Sequence, residues 1–107
     1  MSESGGEPSS ANHPPDDAPI VRVLEICNKK GLHARASAKF VQTVEKFDAE
    51  VKVKRGNEVV GGTSIMGLMM LSAGPGATIT VEASGRDAAA VVDALAALVG
   101  GRFTEEE

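Results

Sequence analysis

The chain has 107 residues, 42% of them hydrophobic and 24% charged, with a net charge of −4. That length holds one small domain rather than two. Three Phe with no Trp or Tyr imply an aliphatic core and argue against nucleic-acid binding by base stacking, and a single Cys excludes a disulfide framework or a cysteine metal site.

Residues 1–19, MSESGGEPSSANHPPDDAP, are rich in Ser, Gly, Pro and acids and contain no Lys or Arg. They have too little apolar surface to offset chain entropy and read as a disordered leader, with His13 inside it and no rigid frame around that imidazole. Residues 20–27, IVRVLEIC, are β-branched and read as a strand. Both alternating sets there are largely apolar, so the pattern alone leaves the inward face open, and Cys27 reads as a small buried hydrophobe. NKKGL carries loop signals in Asn28 and Gly31. From Ala34 to Phe47, the residues Ala36, Phe40, Val44 and Phe47 recur at helical spacing.

Residues 49–55 alternate as a strand, GNE supplies a turn, and VVGG with Thr63 completes a hairpin. SIMGLMML, residues 64–71, is a short helix with Ser64 as its N-cap, although Gly67 sits in its interior. After the AGPGA turn cluster, residues 78–83 form a strand with Ile79, Val81 and Ala83 on one face. A last helix runs from Arg86 to Val99 with Ala88, Val91, Val92, Leu95, Leu98 and Val99 as its buried stripe. Gly100-Gly101 stops it, and RFTEEE reads as a frayed end. The domain is thus expected over residues 20–101, with an acidic tail at 102–107. The order βαββαβα predicts an α+β open-faced sandwich, a four-stranded antiparallel sheet covered on one face by three helices, although the alternation alone also fits ferredoxin-like and related small folds.

Charge is unevenly placed. Seven of the 15 acids sit in the two tails, so residues 20–104 hold eight acids against 11 bases, a net of +3. Lys29, Lys30, Arg35 and Lys39 crowd around His33. A helix start leaves backbone N–H groups without intrahelical partners and carries the positive end of the dipole, so this junction is an anion site suited to phosphate. His33 stands immediately before that helix, and Arg35 adds a guanidinium able to grip phosphate in bidentate fashion. The imidazole there could be a general base or a nucleophile that accepts a phosphoryl group. The loop and first helical turn contain no Asp or Glu to orient a base, which favours the carrier. By spacing alone, carrier and simple anion-binding loop stay nearly level.

GLHAR after Asn28 and before an apolar helix resembles the active-site signature of HPr, the histidine-containing phosphocarrier of the phosphoenolpyruvate-dependent phosphotransferase system. TSIMGLMML resembles the family's regulatory-serine helix, and GATITVEASGRDAAAVVDAL its last strand and helix. The resemblance covers residues 20 to 100 and includes the family's nitrogen-related variant. It implies phosphorylation of His33 on Nδ1 by enzyme I and transfer to an enzyme IIA in sugar uptake or in a regulatory relay. It also implies neutralisation of the phosphate by Arg35, backbone donors at Ala34 and Arg35, and modification of Ser64 by an HPr kinase/phosphorylase. The family commonly has Pro where this chain has Ala36.

Ser64 has a purely structural role available as a cap, and that role does not conflict with regulation. The helix after it holds more large apolar residues than it can bury. Leu68 and Leu71 form the natural core pair, which leaves Ile65, Met66 and Met69, with Lys39 and Arg35 at the rim, as a partner-binding patch. The expectation is a stoichiometric carrier that is not an enzyme, needs no cofactor or metal, works as a monomer, binds no nucleic acid and does not insert into a membrane. With no apolar stretch long enough to span a bilayer and no signal-peptide pattern, a cytoplasmic location is expected. The competing reading is a small regulatory module that holds an anionic metabolite without phosphoryl transfer.

Overall fold

The computed structural model describes residues 19–104. Four strands, β1 (Ile20–Glu25), β2 (Glu50–Arg55), β3 (Glu58–Gly61) and β4 (Thr78–Ser84), alternate with three helices, α1 (Ala34–Glu45), α2 (Ile65–Met70) and α3 (Ala88–Gly100). The strands form one fully antiparallel sheet in the order β1-β4-β2-β3. The expected βαββαβα order and open-faced architecture are therefore what the chain adopts. The leader reading, His13 included, and the last acids of the tail lie outside the described residues.

Registry decides which face of each strand is inward. Ala83 lies opposite both Ile20 and Val51, Val81 opposite both Arg22 and Val53, and Ile79 opposite Leu24. Leu24, Val51, Val53, Ile79, Val81 and Ala83 are buried in one core with Phe40 and Val44 of α1 and Val91, Val92, Leu95 and Val99 of α3. Arg22 occupies an inward position on an edge strand. It avoids burial by reaching out to Asp93 of α3 at 3.2 Å, an exposed pair of small energetic weight.

Among the described residues no helix packs on the opposite face of the sheet. There Val21, Val23 and Val59 are exposed beside the Lys54–Glu82 ion pair at 2.6 Å. The open question about β1 is thus settled: Leu24 and Ile26 point inward, Val21 and Val23 outward.

Two expectations need correction. Cys27 is exposed, not buried. β1 ends at Glu25, but the in–out alternation runs on through buried Ile26 and buried Asn28, so Cys27 between them faces outward at the end of α3, with its thiol 3.2 Å from the Val99 carbonyl. The chain after Gly101 is not frayed over its first residues. Arg102–Thr104 makes a further helical turn in which Phe103 is completely buried. Arg102, Phe103 and Thr104 all have φ near +60°, a left-handed conformation that costs side-chain-bearing residues about 1–2 kcal/mol each. The turn is held by burial of the Phe103 ring and by the Lys39 ammonium, which donates to the Phe103 carbonyl at 2.6 Å and to Thr104 Oγ1 at 2.8 Å.

Candidate functional site

The junction between β1 and α1 is built by its backbone. The Asn28 side chain is buried and donates from Nδ2 to the Gly31 carbonyl at 2.8 Å, closing the NKKG turn. Gly31 has φ +65°, and a Cβ there would lie 2.3 Å from the Ala73 carbonyl oxygen. Only glycine meets both demands. The approach lets the Leu32 N–H donate to the same Ala73 carbonyl at 2.9 Å, while the Leu32 side chain is buried. The loop that precedes His33 is thus pinned to the segment leaving α2.

His33 is the N-cap of α1, with extended backbone at φ −76°, ψ −177°. Its carbonyl accepts from the Ser37 N–H at 2.9 Å, and its ring Nδ1 accepts from the Arg35 N–H at 3.2 Å. Ser37, fully buried, donates its hydroxyl to the Leu32 carbonyl at 3.2 Å and locks the first turn from below.

An imidazole in this position does what Ser or Asp does at most helix starts. The consequence is chemical. A donor aimed at Nδ1 selects the neutral tautomer with its lone pair on Nδ1 and its proton on Nε2. Nδ1 therefore faces the positive end of α1. The N–H groups of Ala34, Arg35 and Ala36 belong to the first turn, which offers no i−4 carbonyl to any of them.

His33 is half-buried, whereas Ala34, Arg35, Lys29 and Lys30 are exposed. The structure therefore brings together His33, Ala34 and Arg35 as expected. It does not leave Lys39 on the rim, because that ammonium is spent on the C-terminal turn. The long lysine stem reached a carbonyl 64 residues away in sequence, which helical spacing along α1 gave no means of seeing.

Ala36 is fully buried in the first turn. A proline there would remove an N–H that has no intrahelical partner. The Ala36→Pro variant is expected to stay folded, with circular dichroism and a thermal melt as the check.

Ser64 caps α2, and its Oγ accepts from the Gly67 N–H at 3.0 Å. Gly67 is explained by space. A Cβ would come within 2.9 Å of Ser64 Oγ and 3.0 Å of Val60 Cβ, so the residue that weakened the helix pattern is the one that lets the cap close and α2 lie against the hairpin. Leu68 and Leu71 are buried as expected. Ile65, Met66 and Met69 are exposed at 41%, 72% and 42%. Met70, at 67%, belongs with them and was not anticipated. Met70 lies one helical turn after Met66, so the spacing could have shown it. Ser64→Ala is expected to lower stability by about 1 kcal/mol through loss of the cap, measured by urea unfolding.

The family model for the phosphotransferase system HPr component phosphorylation site matches residues 20–100. The chain belongs to the HPr family. It is 51% identical over 88 residues to the phosphocarrier protein HPr of Cupriavidus necator, covering 82% of this chain and 99% of that one. It is 45% identical over 86 residues to the phosphocarrier protein NPr of Shewanella violacea, covering 80% and 94%. Among solved structures, HPr-C-His from Thermoanaerobacter tengcongensis superposes with a TM-score of 0.78 at 40% identity, over 82% of this chain and 99% of that one. Both relatives are named phosphocarrier proteins. No helix among the described residues of this HPr-family chain is long and apolar enough to cross a membrane.

Proposed function

We propose that this HPr-family chain accepts a phosphoryl group on His33 Nδ1 from phospho-enzyme I and passes it to an enzyme IIA domain. The observation that carries the reading is the Arg35 N–H aimed at His33 Nδ1 over the first turn of α1. In the transfer, the Nδ1 lone pair attacks phosphorus in line while the P–N bond to the donor histidine breaks and returns its electron pair to that nitrogen. The proton on His33 Nε2 stays in place, so no separate acid or base is needed. As the new N–P bond forms, the Arg35 N–H is released from Nδ1 and becomes a donor to a phosphoryl oxygen beside the Ala34 N–H. The exposed Arg35 guanidinium supplies charge to the same oxygens.

Docking is assigned to the exposed apolar side chains Ile65, Met66, Met69 and Met70, flanked by Arg35, Lys29 and Lys30, against an acidic partner surface. A small patch of adaptable side chains with electrostatic steering suits an encounter that must end quickly, and the protein is regenerated at each cycle rather than turning over a free substrate. Phosphorylation of Ser64 by an HPr kinase/phosphorylase would place negative charge on this face. At a helix start that charge is tolerated by α2 and repels the acidic partner instead.

The test is incubation with phosphoenolpyruvate and enzyme I. The expected result is one added phosphoryl group, acid-labile and alkali-stable, with uptake in Arg35→Ala reduced about tenfold or more. Binding of an anionic metabolite with no phosphoryl uptake would replace this reading with that of a regulatory module. Passage of the group to a sugar-specific or to a regulatory enzyme IIA assigns the branch.

A further inference from the structure

The four methionines of the chain are Met1, Met66, Met69 and Met70, so all three within the described residues lie on the six-residue helix α2. None belongs to the core, which is made of Val, Leu, Ile, Ala and Phe. Met66 and Met70, one helical turn apart, are the two most exposed large apolar side chains among the described residues, at 72% and 67%. Met69 follows at 42%. The chain has no Trp or Tyr, and its only thiol is the exposed Cys27 at the end of α3, attached to a different part of the surface. Apart from that thiol, the side chains that a mild two-electron oxidant attacks most readily are therefore concentrated on one helix face, and no thioether among the described residues belongs to the core.

We propose that Met66 and Met70 are oxidation sites, and that their conversion to sulfoxides by peroxide or hypochlorous acid switches off docking at α2. The inference rests on the reading of α2 as the docking face. In the reaction the thioether sulfur attacks the terminal oxygen of hydrogen peroxide. The S–O bond forms as the O–O bond breaks, and the departing hydroxide takes a proton to become water. Sulfur is oxidised by two electrons and the peroxide is reduced by two. A dithiol reductase reverses the change, the sulfoxide oxygen leaving as water while the dithiol becomes a disulfide.

Each sulfoxide replaces a flexible apolar contact with a polar, chiral one, so a surface that works by apolar adaptability loses it without any change of charge. The core, holding no thioether, stays packed. This separates oxidation from phosphorylation at Ser64, which would act on the same face by charge.

The experiment uses the full chain carrying Cys27→Ser, so that the thiol does not consume oxidant, and hydrogen peroxide as the probe. Peptide mapping is expected to show one added oxygen each on Met66 and Met70 before Met69, with His33 unmodified and the melting curve unchanged. The kcat/KM for transfer from phospho-enzyme I then falls about tenfold and returns after treatment with methionine sulfoxide reductases and a dithiol. A Met66→Leu/Met70→Leu protein, compared with itself before and after peroxide, shows no such fall. Sulfoxides formed with transfer unaffected would overturn the proposal, as would a loss of transfer that persists in the leucine variant. Absence of transfer in the untreated protein would remove the carrier reading itself, an outcome distinct from either.

Discussion

His33→Ala is expected to take up no acid-labile phosphoryl group under conditions in which the parent chain is fully phosphorylated. The substitution deletes the nucleophile and also the ring that accepts the Arg35 N–H. Loss of an N-cap costs about 1 kcal/mol, which leaves the fold intact. His33→Asn separates the two effects. Asn is a strong N-cap, so the start of α1 is preserved or improved while the nucleophile is still gone. Both variants should retain the parent's circular dichroism and cooperative unfolding, and neither should gain 80 Da, the mass of a phosphoryl group. An acid-labile phosphoryl group on either variant would remove His33 from the mechanism.

Phe103→Ala should be strongly destabilising although it lies far from that site in the sequence. The ring is completely buried, and removing a buried phenyl group typically costs about 3–5 kcal/mol. A domain of this size is stable by roughly 5–10 kcal/mol, so most of the margin would go, and Tm should fall by more than about 10 °C. The left-handed backbone of Arg102, Phe103 and Thr104 has no reason to persist without the ring, and the Lys39 ammonium would lose the carbonyl it holds at 2.6 Å. Phe103→Leu, which keeps most of the volume, should cost less than about 1.5 kcal/mol. Thermal melts of the three proteins check this; equal melting temperatures would mean that the turn contributes nothing to stability.

Much of this arrangement is legible in the sequence wherever local chemistry and periodicity agree. Ser64 before an apolar run signals a cap, and Oγ caps Gly67. Ile79, Val81 and Ala83 alternate, and all three are buried. The GLHAR segment at the transition from strand to helix places an imidazole at the start of α1, where its Nδ1 accepts the Arg35 N–H.

The failures share one physical origin, which is contact between residues far apart in the chain. The inward face of β1 is fixed by β4 across the register, not by its own nearly symmetric pattern. Cys27 looks like a core residue, but it lies between buried Ile26 and buried Asn28 and faces outward at the end of α3. Phe103 is a lone aromatic beyond a Gly-Gly stop in an acidic tail. Nothing periodic marks it, and only its fit beneath α3 and beside Lys39 makes it part of the domain. Lys39 reads as a surface charge because its partner is formed by the chain's far end.

The position of β4 in the sheet also governs the order in which the molecule is made. Among the described residues β1 pairs with β4 alone, so that pairing waits until Ala83 has been synthesised. During translation the β2–β3 hairpin is the one piece of sheet that closes locally, while β1 waits with both edges open. The NKKGLH segment leaves the ribosome early, but its anchor at Ala73 and the turn that holds Lys39 come much later. A nascent chain halted before Ala73 would therefore hold His33 on an unpinned loop. The domain around His33 should then be completed in one late step, with insertion of the central strand and closure of the C-terminal turn.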